Sequence, residues 1–112
     1  MVKEQNDCAQ TLFAIQDTLD LISGKWKCVI LWNLSNESLR FGEICRRFPN
    51  ATQKVLTAQL RELEKNGLVI RNVYAEVPLR VEYSLSEFGR SLIPILETIN
   101  IWGTNYLNHE LD

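Results

Sequence analysis

The stretch Thr52-Gln53-Lys54-Val55-Leu56-Thr57-Ala58-Gln59-Leu60-Arg61-Glu62-Leu63-Glu64-Lys65-Asn66-Gly67, running on into Leu68-Val69-Ile70-Arg71-Asn72-Val73, decides the fold. Thr52 is a good N-cap and Gly67 sits where a helix C-terminus favours glycine, so a helix is expected over about 52–66. At 100° per residue Leu56, Leu60 and Leu63 fall on one side. Lys54, Thr57, Ala58, Arg61 and Lys65 fall on the other, with Glu62 and Glu64 on the flanks. After Gly67 the hydrophobic period shortens from helical to alternating. Leu68, Ile70 and Asn72 face one way, and Val69, Arg71 and Val73 the other. Val81, Tyr83 and Leu85 alternate with Glu82 and Ser84, which predicts a hairpin whose connection, Tyr74 to Leu79, contains Pro78.

Working back toward the N-terminus, Pro49-Asn50 breaks the chain, residues 42–48 read as a short helix and Leu39 to Phe41 as a short strand. Residues 25–35 form a helix whose buried side is set by Trp26, Val29, Ile30 and Asn33 or Leu34, with Trp32 and Leu31 adding more, and with both flanks apolar it is expected to be the central one. Residues 8–22 carry Leu12, Ile15, Leu19 and Ile22 at helical spacing, with Asp7 as N-cap and Gly24 ending the element. Toward the C-terminus, Ser86 caps a long helix over 87–108, which Pro94 should kink. A helix-turn-helix over 42–66 followed directly by a hairpin is a winged helix-turn-helix, mostly α with a β-hairpin wing. The 112 residues read as one domain with one core.

The net charge of −2 conceals a segregation. Residues 1–24 sum to −3, residues 25–80 to +5 and residues 81–112 to −4. A basic middle between acidic ends suits a single surface that meets phosphate. On the 52–66 helix, Lys54, Arg61 and Lys65 neutralise phosphates and release counterions. Thr52, Gln53 and Thr57 lie near the end that docks base edges in a major groove, and Arg61 has the fork to read a guanine. Arg80, near the tip of the wing (about 74–80), and Arg40 complete the expected DNA contacts, in minor groove or on backbone. Arg71 has two readings, a DNA contact or a cross-strand partner for Glu82. Arg46, Arg47 and Lys25 are further cations within reach of backbone phosphate.

The first and last helices (about 8–22 and 87–108) carry more apolar residues than a small domain can bury. Leu12, Phe13, Ile15, Ile93, Ile101, Trp102 and Tyr106 are therefore expected to form a two-fold dimer interface, placing two recognition helices on successive grooves.

The three cysteines do not form a disulfide framework, and with a single histidine (His109) no zinc site assembles. No Gly-rich phosphate loop or nucleophile–base set is present, so neither an enzyme nor a cofactor is expected. The polar N-terminus and the short apolar runs predict a cytoplasmic protein. Cys28, on the central helix, reads as packing. Cys45, beside Arg46 and Arg47, and Cys8, near a helix start, are the candidate redox switches. A winged-helix protein-interaction module without DNA binding is the rival reading, against which the basic face argues.

Several pieces in order resemble the HxlR-type (MarR-like) family of bacterial winged-helix regulators: Thr18 through Lys27 (TLDLISGKWK), Arg40-Phe41-Gly42-Glu43-Ile44, Gln59 through Val69 (QLRELEKNGLV), Tyr74, Pro78, Arg80 through Leu85 (RVEYSL), Gly89 and Trp102-Gly103. The resemblance implies a homodimeric repressor or activator that binds an operator in double-stranded DNA and dimerises through its first and last helices. It also implies that an oxidant or small electrophile can act as effector through an N-terminal cysteine, often followed by proline; here Cys8 is followed by Ala9.

Overall fold

The computed structural model describes residues 8–111, and the side chains of residues 14–109. The elements are α1 (Cys8–Ile22), α2 (Lys27–Asn33), β1 (Leu39–Arg40), α3 (Phe41–Arg47), α4 (Gln53–Lys65), β2 (Val69–Tyr74), β3 (Arg80–Leu85), α5 (Glu87–Arg90) and α6 (Ile93–Leu111). The expected N-cap, Asp7, lies outside the described residues.

The helix-turn-helix is α3 and α4. The Thr52 side chain accepts from the Val55 amide at 3.1 Å, which satisfies one orphan donor at the start of α4. Gly67 has φ +79°, the left-handed conformation that terminates a helix. The Leu68 amide then donates to the Leu63 carbonyl at 2.9 Å and turns the chain into β2. The antiparallel sheet has the order β1-β3-β2. In the β2–β3 ladder Val69 faces Leu85, Arg71 faces Tyr83, Asn72 faces Glu82 and Tyr74 faces Arg80.

Leu56, Leu60 and Leu63 of α4 are buried together with Ile30 and Leu31 of α2, its C-cap Leu34, and Leu39, Ile44, Leu68 and Leu85. The central position of α2 is as the sequence indicates, but its buried side is rotated. Ile30, Leu31 and Leu34 are inside, whereas Val29 and Trp32 are exposed. A short helix with apolar residues all round gives no angular signal by which to choose. Strand β2 differs in a similar way. Leu68 and Val69 are both buried and Ile70 is exposed, because the chain turns in from α4 at Leu68, ahead of the strand proper.

Where one kinked helix was expected over 87–108 there are two. The Ser86 hydroxyl accepts from the Gly89 amide at 2.9 Å and caps α5, which ends at Arg90. The break at Ser91-Leu92 precedes Pro94 because proline has no amide to donate four residues back. Helix α5 lies so close to the turn ahead of β2 that a Cβ on Gly89 would stand 2.0 Å from the Leu68 carbonyl oxygen. Gly89→Ala is therefore expected to cost about 3 kcal/mol, as overpacking against backbone. Thr52→Ala, which removes the α4 cap, is expected to cost about 1 kcal/mol. Urea unfolding of the two variants measures both costs and their order.

Candidate nucleic-acid interface

With the leucine stripe of α4 facing inward, geometry dictates what faces out. Thr52, Gln53, Lys54, Arg61 and Lys65 are exposed, and Thr57 is half-buried. Among the described residues, Lys54, Arg61 and Lys65 take part in no ion pair within 4.0 Å. Lys65 lies in the last turn, where a cation also suits the helix dipole.

The flanks of α4 fix it to α2. The Trp26 amide donates to Gln59 Oε1 at 2.9 Å. The buried Lys27 ammonium reaches Glu62 Oε1 at 2.5 Å. Lys27 is 3% exposed and is the one buried charged residue among those described. The sequence places Glu62 on a flank but gives no sign of this pairing, since the two residues are 35 apart. Nearby, the Trp26 and Phe48 rings pack at 5.6 Å, and Lys25 Nζ stands 5.3 Å from the Trp26 ring.

The wing cations divide sharply. Arg80 donates to Glu76 through Nε and Nη2, at 3.1 and 2.8 Å, and to Glu82 through Nη1. Its guanidinium carbon lies 3.8 Å from the Tyr74 ring centroid. The hydrogen bonds to Glu76 and Glu82 raise the Arg80 pKa above its already high ordinary value. In this arrangement both forks of Arg80 are occupied. Arg47 is likewise held, by Asn33 Oδ1 and Glu37 Oε2, each at 3.0 Å. Arg40 is exposed at the start of α3, its amide donating to Glu43 Oε1 at 2.9 Å.

The pairing of Arg71 with Glu82 does not occur. Register sets Asn72 opposite Glu82 and turns Arg71 to the other sheet face, opposite Tyr83. There Arg71 lines a hollow of about 370 Å³ with Thr57, Arg61, Glu64 and Tyr83. Arg71 thus joins the α4 surface, which alternation alone does not reveal because strand register sets the face.

The apolar ends also show their disposition. On α6, Ile95, Ile99, Trp102 and Tyr106 recur on one side and are all exposed, Trp102 at 68%. Trp102 and Tyr106 stack at 5.6 Å, and Ile101 and Leu107 are exposed beside them. Ile15 and Leu19 of α1 are exposed too. Ile93 differs from the other expected interface residues, since it is half-buried and packs against the chain's own core. The side chains of Leu12, Phe13 and Cys8 lie outside the described residues. Cys28 and Cys45 are free and half-buried. Burial pushes the Cys28 thiol pKa up despite the neighbouring Lys27 charge, which leaves less thiolate to react.

A basic helix held rigidly above a core, beside a two-stranded wing, defines a winged helix-turn-helix of the DNA-binding kind. Comparison with known proteins makes the class specific. The profile of the HxlR-like helix-turn-helix family matches residues 21–111. The HTH-type transcriptional regulator YtcD of Bacillus subtilis is 53% identical over 95 residues, 85% of this chain and 75% of that protein. An HTH-type transcriptional regulator of Methanothermobacter thermautotrophicus is 50% identical over 88% of this chain and 76% of its own length. The YtcD crystal structure superposes with a TM-score of 0.81, covering 84% of this chain and 96% of that one at 52% identity. The redox regulator HypR in its reduced form gives a TM-score of 0.79 at 48% identity, covering 82% and 91%. This chain belongs to the HxlR-like helix-turn-helix family and is a DNA-binding transcriptional regulator, not an enzyme.

The Lys27–Glu62 pair makes the seat of α4 sensitive to acid. The hydrogen bond and charge of Lys27 hold the Glu62 carboxyl below its ordinary value. The unfolded chain then binds more protons than the folded one as pH falls. The pair's contribution is present above the ordinary carboxylate range and is lost as pH drops through the lowered folded value. Glu62 is largely exposed, so solvent screens part of the gain. Glu62→Gln is expected to lower the melting temperature at neutral pH and to flatten its decline in acid. Thermal melts of both proteins across a pH series check this.

Proposed function

We propose that the chain acts in the cytoplasm as a homodimer that sets two copies of α4 into successive major grooves of an operator. The single observation that carries this is the face of Lys54, Thr57, Arg61 and Lys65 on α4, with its three lysine and arginine residues exposed and free of ion pairs among the described residues. Thr52 and Gln53, at the N-terminal end of the helix, face base edges, with Thr57 one turn further on beside the wing. Lys54, Arg61, Lys65 and Arg40 supply charge to phosphates. Arg80 acts by bracing the wing that lies alongside.

Dimerisation rests on the ends. The radius of gyration is 16.6 Å, against about 13 Å for a compact domain of this length. The excess fits α1 and α6 reaching beyond the core with Ile15, Leu19, Ile95, Ile99, Trp102 and Tyr106 uncovered. So large an apolar surface on a small chain marks a protein interface, and a second copy supplies a matching one through two-fold symmetry.

A second reading concerns control. The 48% identity to the redox regulator HypR, which has been solved in oxidised and in reduced form, supports switching by an oxidant or electrophile at a cysteine. Cys8 and Cys45 are the candidates, because Cys28 is suppressed by burial. Diamide treatment followed by a non-reducing gel is expected to give a dimer band that Cys8→Ser abolishes; an unchanged monomer band rules out an intersubunit disulfide.

The primary test is a gel shift on the upstream region of the chain's own gene. Binding is expected to fall steeply with salt, and Lys54→Ala with Arg61→Ala together to abolish it at moderate salt. Trp102→Glu is expected to yield monomers in sedimentation and to weaken operator binding with them. Undiminished binding by both variants refutes the assignment of α4 and α6 to these tasks.

A further inference from the structure

The hollow between α4 and the wing is lined by two arginines that form no ion pair among the described residues. Arg61 comes from the third turn of α4, and Arg71 from β2, two residues beyond the buried Val69 on the same strand face. Thr57 contributes a hydroxyl, Tyr83 a phenol, and Glu64 the one carboxylate of the lining. Glu64 forms no ion pair within 4.0 Å with either arginine among the described residues. By contrast, Arg47 and Arg80 are both paired with carboxylates. Two guanidiniums against one carboxylate leave the lining with a net positive charge, which attracts an anion.

Resting on the DNA-binding reading above, we propose that a DNA backbone phosphate seats in this hollow, gripped by Arg61 and Arg71 together. Guanidinium forks match phosphate oxygens, and hydroxyl and phenol groups are common further donors to them. The position argues for backbone and against bases. Base edges face the N-terminal residues of a recognition helix, whereas this hollow lies at its second and third turns, against the sheet. Arg61 then fixes register on the duplex in place of reading a guanine. Glu64, at the same lining, opposes the incoming phosphate and weakens the grip.

The test uses the full chain and two fluorescein-labelled duplexes of equal length, one from the upstream region of its own gene and one of scrambled sequence. Anisotropy titrations are run across a salt series. Arg71→Gln keeps the stem and the polar head without the charge. It is expected to weaken binding to both duplexes about tenfold and to reduce the salt slope by about one. Arg71→Lys should retain the slope. Glu64→Gln should tighten binding to both duplexes about twofold, from removal of one screened repulsion. Circular dichroism confirms that the variants are folded. Arg71→Gln binding both duplexes as the unsubstituted chain does, with the same slope, overturns the phosphate seat; so does a loss confined to the upstream duplex, which would make Arg71 a base reader. If Lys54→Ala weakens binding while Arg71→Gln does not, only the seat is lost. If the unsubstituted chain binds neither duplex, the DNA-binding reading itself fails.

Discussion

The geometry of the recognition surface depends on how α4 is pinned to the start of α2. Two contacts from one face of α4 do this: Gln59 accepts from the Trp26 amide, and Glu62 meets the buried Lys27 ammonium. The leucines set the depth of the helix, but apolar contact is non-directional and leaves rotation about the axis loosely held. Two polar contacts one turn apart specify that rotation. Gly24 makes the turn that delivers Trp26 and Lys27. Its φ of +137° is open to glycine and strained for other residues, and a Cβ there would meet Lys27 Cδ at 3.2 Å and Gln59 Cδ at 3.3 Å. Backbone turn and side-chain clamp are thus one unit. A burial so nearly complete for a lysine is costly, and a partner at hydrogen-bond distance is what makes it tolerable.

Much of the fold was legible because local chemistry and long-range packing agree. Thr52 caps α4, Gly67 ends it, and the leucine stripe faces the core, each as the sequence indicates. What escaped the sequence depends on register or on distant contacts. Arg71 and Glu82 look like neighbours in a hairpin, yet a ladder pairing Arg71 with Tyr83 puts them on opposite faces. A one-residue shift of register would have exchanged those faces, and the sequence of a hairpin with a long connection does not fix it. Likewise α2 is apolar on all sides, so its buried side is chosen by what packs against it, not by its own period.

The same logic separates the basic residues by task. Arg80 has the most promising position in the sequence, near the wing tip, but its forks are spent on Glu76 and Glu82 and its face on Tyr74. Through these contacts it ties the connection to β3 and both to β2. Arg47 similarly ties the end of α3 to Asn33 and Glu37. A count of cations treats these as equivalent to Lys54 and Arg61, whereas in the folded chain they are neutralised locally and add little to the field that meets DNA. The acids among the basic middle residues are thus partly structural partners, and four of the cations without such partners among the described residues, Lys54, Arg61, Lys65 and Arg71, lie on α4 and the adjoining strand face.

The acidic character of the ends follows from a different constraint. Residues 1–24 and 81–112 carry net charges of −3 and −4, and helices α1 (Asp17, Asp20) and α6 (Glu97, Glu110) combine two acids each with exposed apolar stripes. Anionic ends next to the duplex would be repelled by phosphate, so any docking that brings α4 to DNA turns these helices away from it. Steering by the field and association through the stripes then act in the same sense. In the dimer proposed above, the basic side of the molecule faces the duplex, and the side that lacks its own core faces another copy. The orientation of the whole molecule on DNA is in this way set by two segregations, of charge and of uncovered apolar surface, and the clamp at Trp26 and Lys27 holds the recognition helix fixed between them.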